Sequence, residues 1–213
     1  MFEDKKQEII NAGKKLDRYQ LITLSGGNIS YRTNSGEILM TPSGMIYEEL
    51  DTNDIIVMNS GGNILESERK PSVDNEAIRY IFKERSDINA IIHTHQPYAT
   101  AIGLVSDEIT CNLTTLANAV KGSVKVAPYS SAASIDMGIQ TVENLGGQLA
   151  VVLKHHGVIT VGENLKQALY AAVYLEEAAK TLIMARAYGG GRIDKLTDLQ
   201  VQEAVNVFKN YGQ

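Results

Sequence analysis

The chain has 213 residues, a mass of 23.2 kDa and a formal net charge of −5, with 44% hydrophobic and 21% charged residues. That balance suits one globular domain over residues 1–213 and excludes disordered, collagen-like and coiled-coil proteins. The acidic charge without a basic block argues against a nucleic-acid partner, and no apolar run approaches the roughly 20 residues that span a bilayer. The single cysteine, Cys111, cannot pair within the chain, which points to a reducing cytoplasm.

The opening MFEDKKQEII is charged and amphipathic, unlike a secretory leader. Ile9, Ile10 and Leu16 recur at helical spacing, so a helix is predicted over about Glu3 to Tyr19. Ser25-Gly26-Gly27-Asn28 is a turn, followed by strands at Ile29–Arg32 and Glu37–Thr41 joined through Asn34-Ser35-Gly36. Thr41-Pro42-Ser43-Gly44 makes a second small-residue corner, and Ile55–Met58 a further strand. Pro71-Ser72 precedes a helical pattern over Val73–Lys83, where helix starts favour such residues. Ala90–His95 reads as a strand and Tyr98–Leu104 as a short helix, whereas Ile109–Ala127 gives no clear pattern before a strand at Lys125–Ala127. A helix over Ser134–Leu145, strands at Leu149–Lys154 and Val158–Val161, and helices over Glu163–Ala187 and Asp198–Asn210 complete the chain. Hairpin-joined strands alternating with helices predict an α/β fold with a largely antiparallel or mixed sheet.

All four histidines fall into two clusters, His93 with His95 and His155 with His156. Residues two apart on a strand point to the same side, so His93 and His95 project together. An isolated H-T-H triplet also fits an exposed strand end. His155 closes another apolar strand and is the expected third ligand if the two strands share a sheet, whereas His155 and His156 alternate in direction and so are not both expected to bind the same ion. Three neutral imidazoles with one open position are the mark of a catalytic site of zinc type. Asp74 and Glu76 at the start of a helix offer a nearby carboxylate, although acidic residues there also favour the helix dipole. The corners at Gly26–Asn28, Thr41–Gly44 and Pro71-Ser72 expose N–H groups and hydroxyls of the kind that enclose a phosphate.

The ordered motifs S-G-G-N-I-S (25–30), T-P-S-G-M-I-Y-E-E-L (41–50), K-P-S-V-D (70–74), H-T-H (93–95), A-P-Y (127–129), K-H-H-G-V (154–158) and Y-G (211–212) resemble the class II aldolase/epimerase family. The resemblance covers nearly the whole chain. It implies a three-layer α/β/α sandwich around a central, mainly antiparallel sheet, in a homotetramer with sites at subunit interfaces. It also implies one divalent metal ion per subunit, zinc first and manganese second, held by His93, His95 and His155, with Asp74 as resting-state ligand and acid/base. Gly27, Asn28, Ser43, Gly44 and Ser72 fall at the family's phosphate-binding corners, and Tyr211 at the position of a catalytic tyrosine.

The implied activity is that of a metal-dependent lyase splitting a ketose 1-phosphate into dihydroxyacetone phosphate and an aldehyde. Fuculose 1-phosphate, ribulose 1-phosphate and 5-deoxypentulose 1-phosphates are the substrate types. Asp74 stands where aldolases usually carry glutamate, Val73 where they carry a serine, and Thr114 where one aldolase carries a tyrosine. The aspartate makes 4-epimerisation of L-ribulose 5-phosphate the alternative, but Asn118 replaces the aspartate that exchanges a proton in epimerases. A non-catalytic assembly module like the adducin head is the remaining reading; it predicts lost histidines.

Overall fold

The structure is a computed structural model that describes residues 1–189 and 193–208. Its centre is a nine-stranded sheet in the order β4-β3-β2-β1-β5-β9-β8-β7-β6. These strands are β1 (Asn28–Arg32), β2 (Ile38–Met40), β3 (Ile56–Met58), β4 (Ile64–Glu66), β5 (Ala90–Thr94), β6 (Glu108–Ile109), β7 (Val124–Ala127), β8 (Ala150–Leu153) and β9 (Gly157–Gly162). Every neighbouring pair is antiparallel except β7 and β8, which run parallel. The expected mainly antiparallel α/β sheet is therefore present.

The alternation of side chains along each strand builds two cores. Leu39, Val57 and Ile92 face α1 (Glu3–Arg18), with Ile9, Ile10 and Leu16 buried beneath them. Met40, Ile56 and Ile91 face the opposite way, onto α2 (Asn75–Glu84), α3 (Pro97–Val105), α4 (Thr114–Val120) and α5 (Ile135–Leu145). The long α6 (Leu165–Gly189) joins both, placing Leu165 and Leu169 in the first core and Leu175 and Leu182 in the second. The last helix, α7 (Asp198–Phe208), adds Ala204 to the second core. No described helix is long and apolar enough to cross a membrane.

The segment without a clear sequence pattern contains β6 and α4. The first is only two residues long, and the second is seven residues with no side-chain cap, so neither presents enough turns for a period to emerge. The three-residue edge strand β4 and the single-turn 3-10 helices at Tyr47–Glu49 and Thr52–Asp54 are likewise too short to predict, and elsewhere the differences are at element ends, as with α2, which begins at Asn75 after Asp74 in the capping position.

Candidate metal centre

The centre lies at the end of β5, the middle strand of the sheet. On one side β1 sets Asn28 directly opposite His93; on the other, His93 faces Ile159 of β9. This double pairing buries His93 to 1% exposure, while His95, just beyond the strand, is exposed. The imidazole Nε2 atoms of His93 and His95 are 3.1 Å apart. His156 completes the group: nitrogens of His93, His95 and His156 all lie within 4.8 Å of one another, and the His93 and His156 rings are 4.7 Å apart.

The expectation for His155 is corrected here. The structure brings His156 to the cluster, whereas His155 is exposed and turned to Tyr129, with ring centroids 6.4 Å apart. Counting by twos back along β9 from Ile159, opposite His93, aims residue 155 at the site. The chain instead reverses through Lys154–His156, and His155 takes the left-handed conformation, φ 60°. That conformation breaks the alternation, so His156 occupies the face. Gly157 marks the close approach: an added Cβ there would strike the Thr94 carbonyl oxygen and approach the His95 and His93 rings at 3.0 and 3.3 Å. The histidine beside that glycine is the one the close approach admits.

The donor set fits a divalent cation. His93 Nδ1 is 3.0 Å from the Val158 carbonyl oxygen, which can only accept, so Nδ1 carries the proton and Nε2 offers its lone pair to the cluster. Two nitrogens each about 2.1 Å from one tetrahedral zinc would be roughly 3.4 Å apart, near the 3.1 Å between His93 and His95. His156 Nδ1 is buried with no hydrogen-bond partner, which is costly unless it ligates. Burial, then the neighbouring His156 and His95, pushes His93 down to about 3. Burial is also the main cause that lowers His95 and His156. All three are thus kept in the neutral form that metals bind.

Asp74 Oδ2 stands 4.0 Å from His93 Nε2 and accepts from Asn28 Nδ2 at 2.8 Å, while Oδ1 accepts from the Ala133 amide at 3.3 Å. Its carboxylate is 6% exposed and aimed at the cluster; Glu76, two residues on, is exposed on a different face beside Arg79 and Lys83. The Asn28 amide also donates to Ser72 Oγ at 3.1 Å, so Asn28, Ser72 and Asp74 form one connected group. Gly27 closes it with φ 76°, where a Cβ would strike the His93 carbonyl oxygen.

Ser43 and Gly44 are exposed, and their loop lies against the Ser72 corner through a Pro42–Pro71 bridge and a 2.9 Å bond from the Ser43 amide to the Lys70 carbonyl. The three small-residue corners are therefore contiguous beside the histidines. Thr114 opens α4, and Asn118 lines a separate cavity with Leu149 and Tyr170. Tyr211 lies outside the described residues. The Ala133 backbone amide carried no sequence signal; it reaches Asp74 only because the loop before α5 folds over the start of α2.

A family model described as "Class II Aldolase and Adducin N-terminal domain" matches residues 7–183. The chain is 30% identical over its full length to the 5-deoxy-D-ribulose 1-phosphate aldolase of Bacillus thuringiensis serovar kurstaki, covering 99% of that protein. It is 29% identical to the 5-methylthioribulose-1-phosphate/5-deoxyribulose-1-phosphate aldolase of Rhodospirillum rubrum, covering 96% of this chain and 90% of that one. A solved L-fuculose 1-phosphate aldolase superposes with a TM-score of 0.92 at 30% identity, over 98% of both chains.

Proposed function

Because this chain belongs to the class II aldolase and adducin N-terminal domain family, we propose that it is a metal-dependent lyase cleaving a ketose 1-phosphate reversibly to dihydroxyacetone phosphate and an aldehyde. The observation that carries this reading is the convergence of three neutral imidazoles, His93, His95 and His156, beside the buried carboxylate of Asp74. A non-catalytic module has no need of such a set. Relatives named for 5-deoxyribulose, 5-methylthioribulose and fuculose phosphates favour substrates of those types.

His93, His95 and His156 would hold the divalent ion, zinc first and manganese second, since imidazole suits several divalent metals. When bound, the ion supplies Lewis-acid stabilisation of the negative charge left by carbon–carbon cleavage. The corners at Gly27-Asn28, Ser43-Gly44 and Ser72 bind the phosphate through amides and hydroxyls, and fix the ketose relative to the histidines. Asp74, oriented by Asn28 and the Ala133 amide, returns a proton to the carbon freed by cleavage. Tyr211 keeps the role implied by the resemblance, taking the proton from the fourth-carbon hydroxyl.

Residues 1–213 act as one domain in this reading, in a cytoplasmic homotetramer with sites at subunit interfaces. The reading draws on free, buried Cys111 and on exposed Val73 and Tyr129 flanking the site. Incubating zinc-loaded protein with a panel of ketose 1-phosphates, and coupling dihydroxyacetone phosphate to a reductase, tests the activity. Triose release is expected. Net epimerisation of L-ribulose 5-phosphate with no triose released would replace the aldolase reading.

A further inference from the structure

One buried charge has no part in that chemistry. Glu176 on α6 is 8% exposed and does not touch the histidines. Its Oε1 accepts from the Tyr98 amide at 2.8 Å and its Oε2 from the Ala99 amide at 3.0 Å, both in the first turn of α3. N–H groups there have no partners within the helix, and the residue just before the helix usually satisfies them. That residue is Gln96, and it makes no cap. Fully buried, Gln96 accepts from Thr94 Oγ1 at 2.7 Å and donates to the Ala172 carbonyl of α6 at 3.3 Å. Lys180, one turn beyond Glu176, adds a contact over the Tyr98 ring at 5.5 Å.

The bonds of Glu176, Ala172 and Lys180 join α6 to the corner between β5 and α3, the Thr94–Gln96 bond ties that corner to itself, and His95 sits in it between Thr94 and Gln96. A serine or aspartate at position 96 would cap α3 at lower cost than a carboxylate removed from water. A cap delivered from α6 does what a local cap cannot: it fixes where the corner stands relative to the sheet. We propose that Glu176 is a positioning residue for the metal centre, capping α3 from α6 and thereby holding His95 in convergence with His93 and His156. The inference rests on the metal-aldolase reading of that cluster.

Glu176→Gln retains the volume but removes the charge and sets an NH2 group against amide donors. The readout is zinc affinity of the purified protein, by competition with a chromophoric chelator, beside the unfolding midpoint of the metal-free form. Wild-type protein is expected to take up zinc stoichiometrically, and E176Q to bind it on the order of 10–100-fold more weakly, as for other changes behind metal ligands. Leu145→Ala, in the core under α5, is expected to lower the midpoint without moving zinc affinity. Should E176Q fail to fold, Gln96→Ala carries the same expectation through the loss of its ties to Thr94 and Ala172. Zinc affinity within about threefold of wild type in the folded variant, or an equal loss in L145A, overturns the positioning role alone. Wild-type protein that takes up no zinc removes the metal reading and this inference with it.

Discussion

At His155 the backbone takes φ 60°, a conformation that costs a residue bearing a Cβ on the order of 1–3 kcal/mol. It reverses the chain within Lys154–His156 and hands the inward position to His156. The neighbours should therefore behave oppositely. His156→Ala is expected to lower metal affinity by more than the roughly 10–100-fold of an outer-shell change, whereas His155→Ala retains stoichiometric metal. Elemental analysis of both proteins after gel filtration checks this, and metal retained by H156A but lost by H155A would reverse the assignment. Asp74 is separable from the histidines, because its hydrogen bonds go to Asn28 and the Ala133 amide. Asp74→Asn should keep the metal and slow proton exchange into dihydroxyacetone phosphate by about 10²–10⁴-fold. Solvent deuterium incorporation, followed by NMR, reads that rate directly.

At the scale of elements, the site is an edge effect of strand pairing. β1 brings Asn28 beside His93, and the preceding Gly27 must then pass so near the His93 carbonyl that no side chain fits. Gly27→Ala combines that clash with φ 76°, and a loss of roughly 1–3 kcal/mol is expected. For a chain of this size that is a drop of about 2–12 °C in the unfolding midpoint, measured on metal-free protein. Much at this scale was legible in sequence. The hydrophobic periods of α1, α5 and α6 and the apolar runs of β5, β8 and β9 are long enough to read, and Pro71-Ser72 marks the approach to α2. β6 and α4 were not legible, since two residues of strand and seven of helix draw their stability from the core they touch.

For the whole molecule, gathering three imidazoles in one place, with His93 fully buried among them, links stability to pH. Burial pushes His93 to about 3 and lowers His95 and His156, while in the unfolded chain all three titrate near 6.5. Below about pH 6.5 the unfolded state thus binds more protons than the folded state. The metal-free protein should lose stability as pH falls from about 6.5 towards 3, with no contribution from these groups to the slope at higher pH. Urea midpoints of wild type and His93→Gln across that window test it: the variant's profile should be flatter, and identical slopes would contradict the account.

The sequence by itself determined the family, the α/β sheet, the His93–His95 pair and the order of the small-residue corners, because each is written in a local pattern or in the spacing of motifs along the chain. Tertiary structure alone decided that His156 replaces His155 and that Glu176 caps a helix 78 residues away. The first of these turns on one left-handed residue, and the second on the packing of α6 against α3. Each depends on where elements stop and how they meet, and side-chain periodicity carries no record of either.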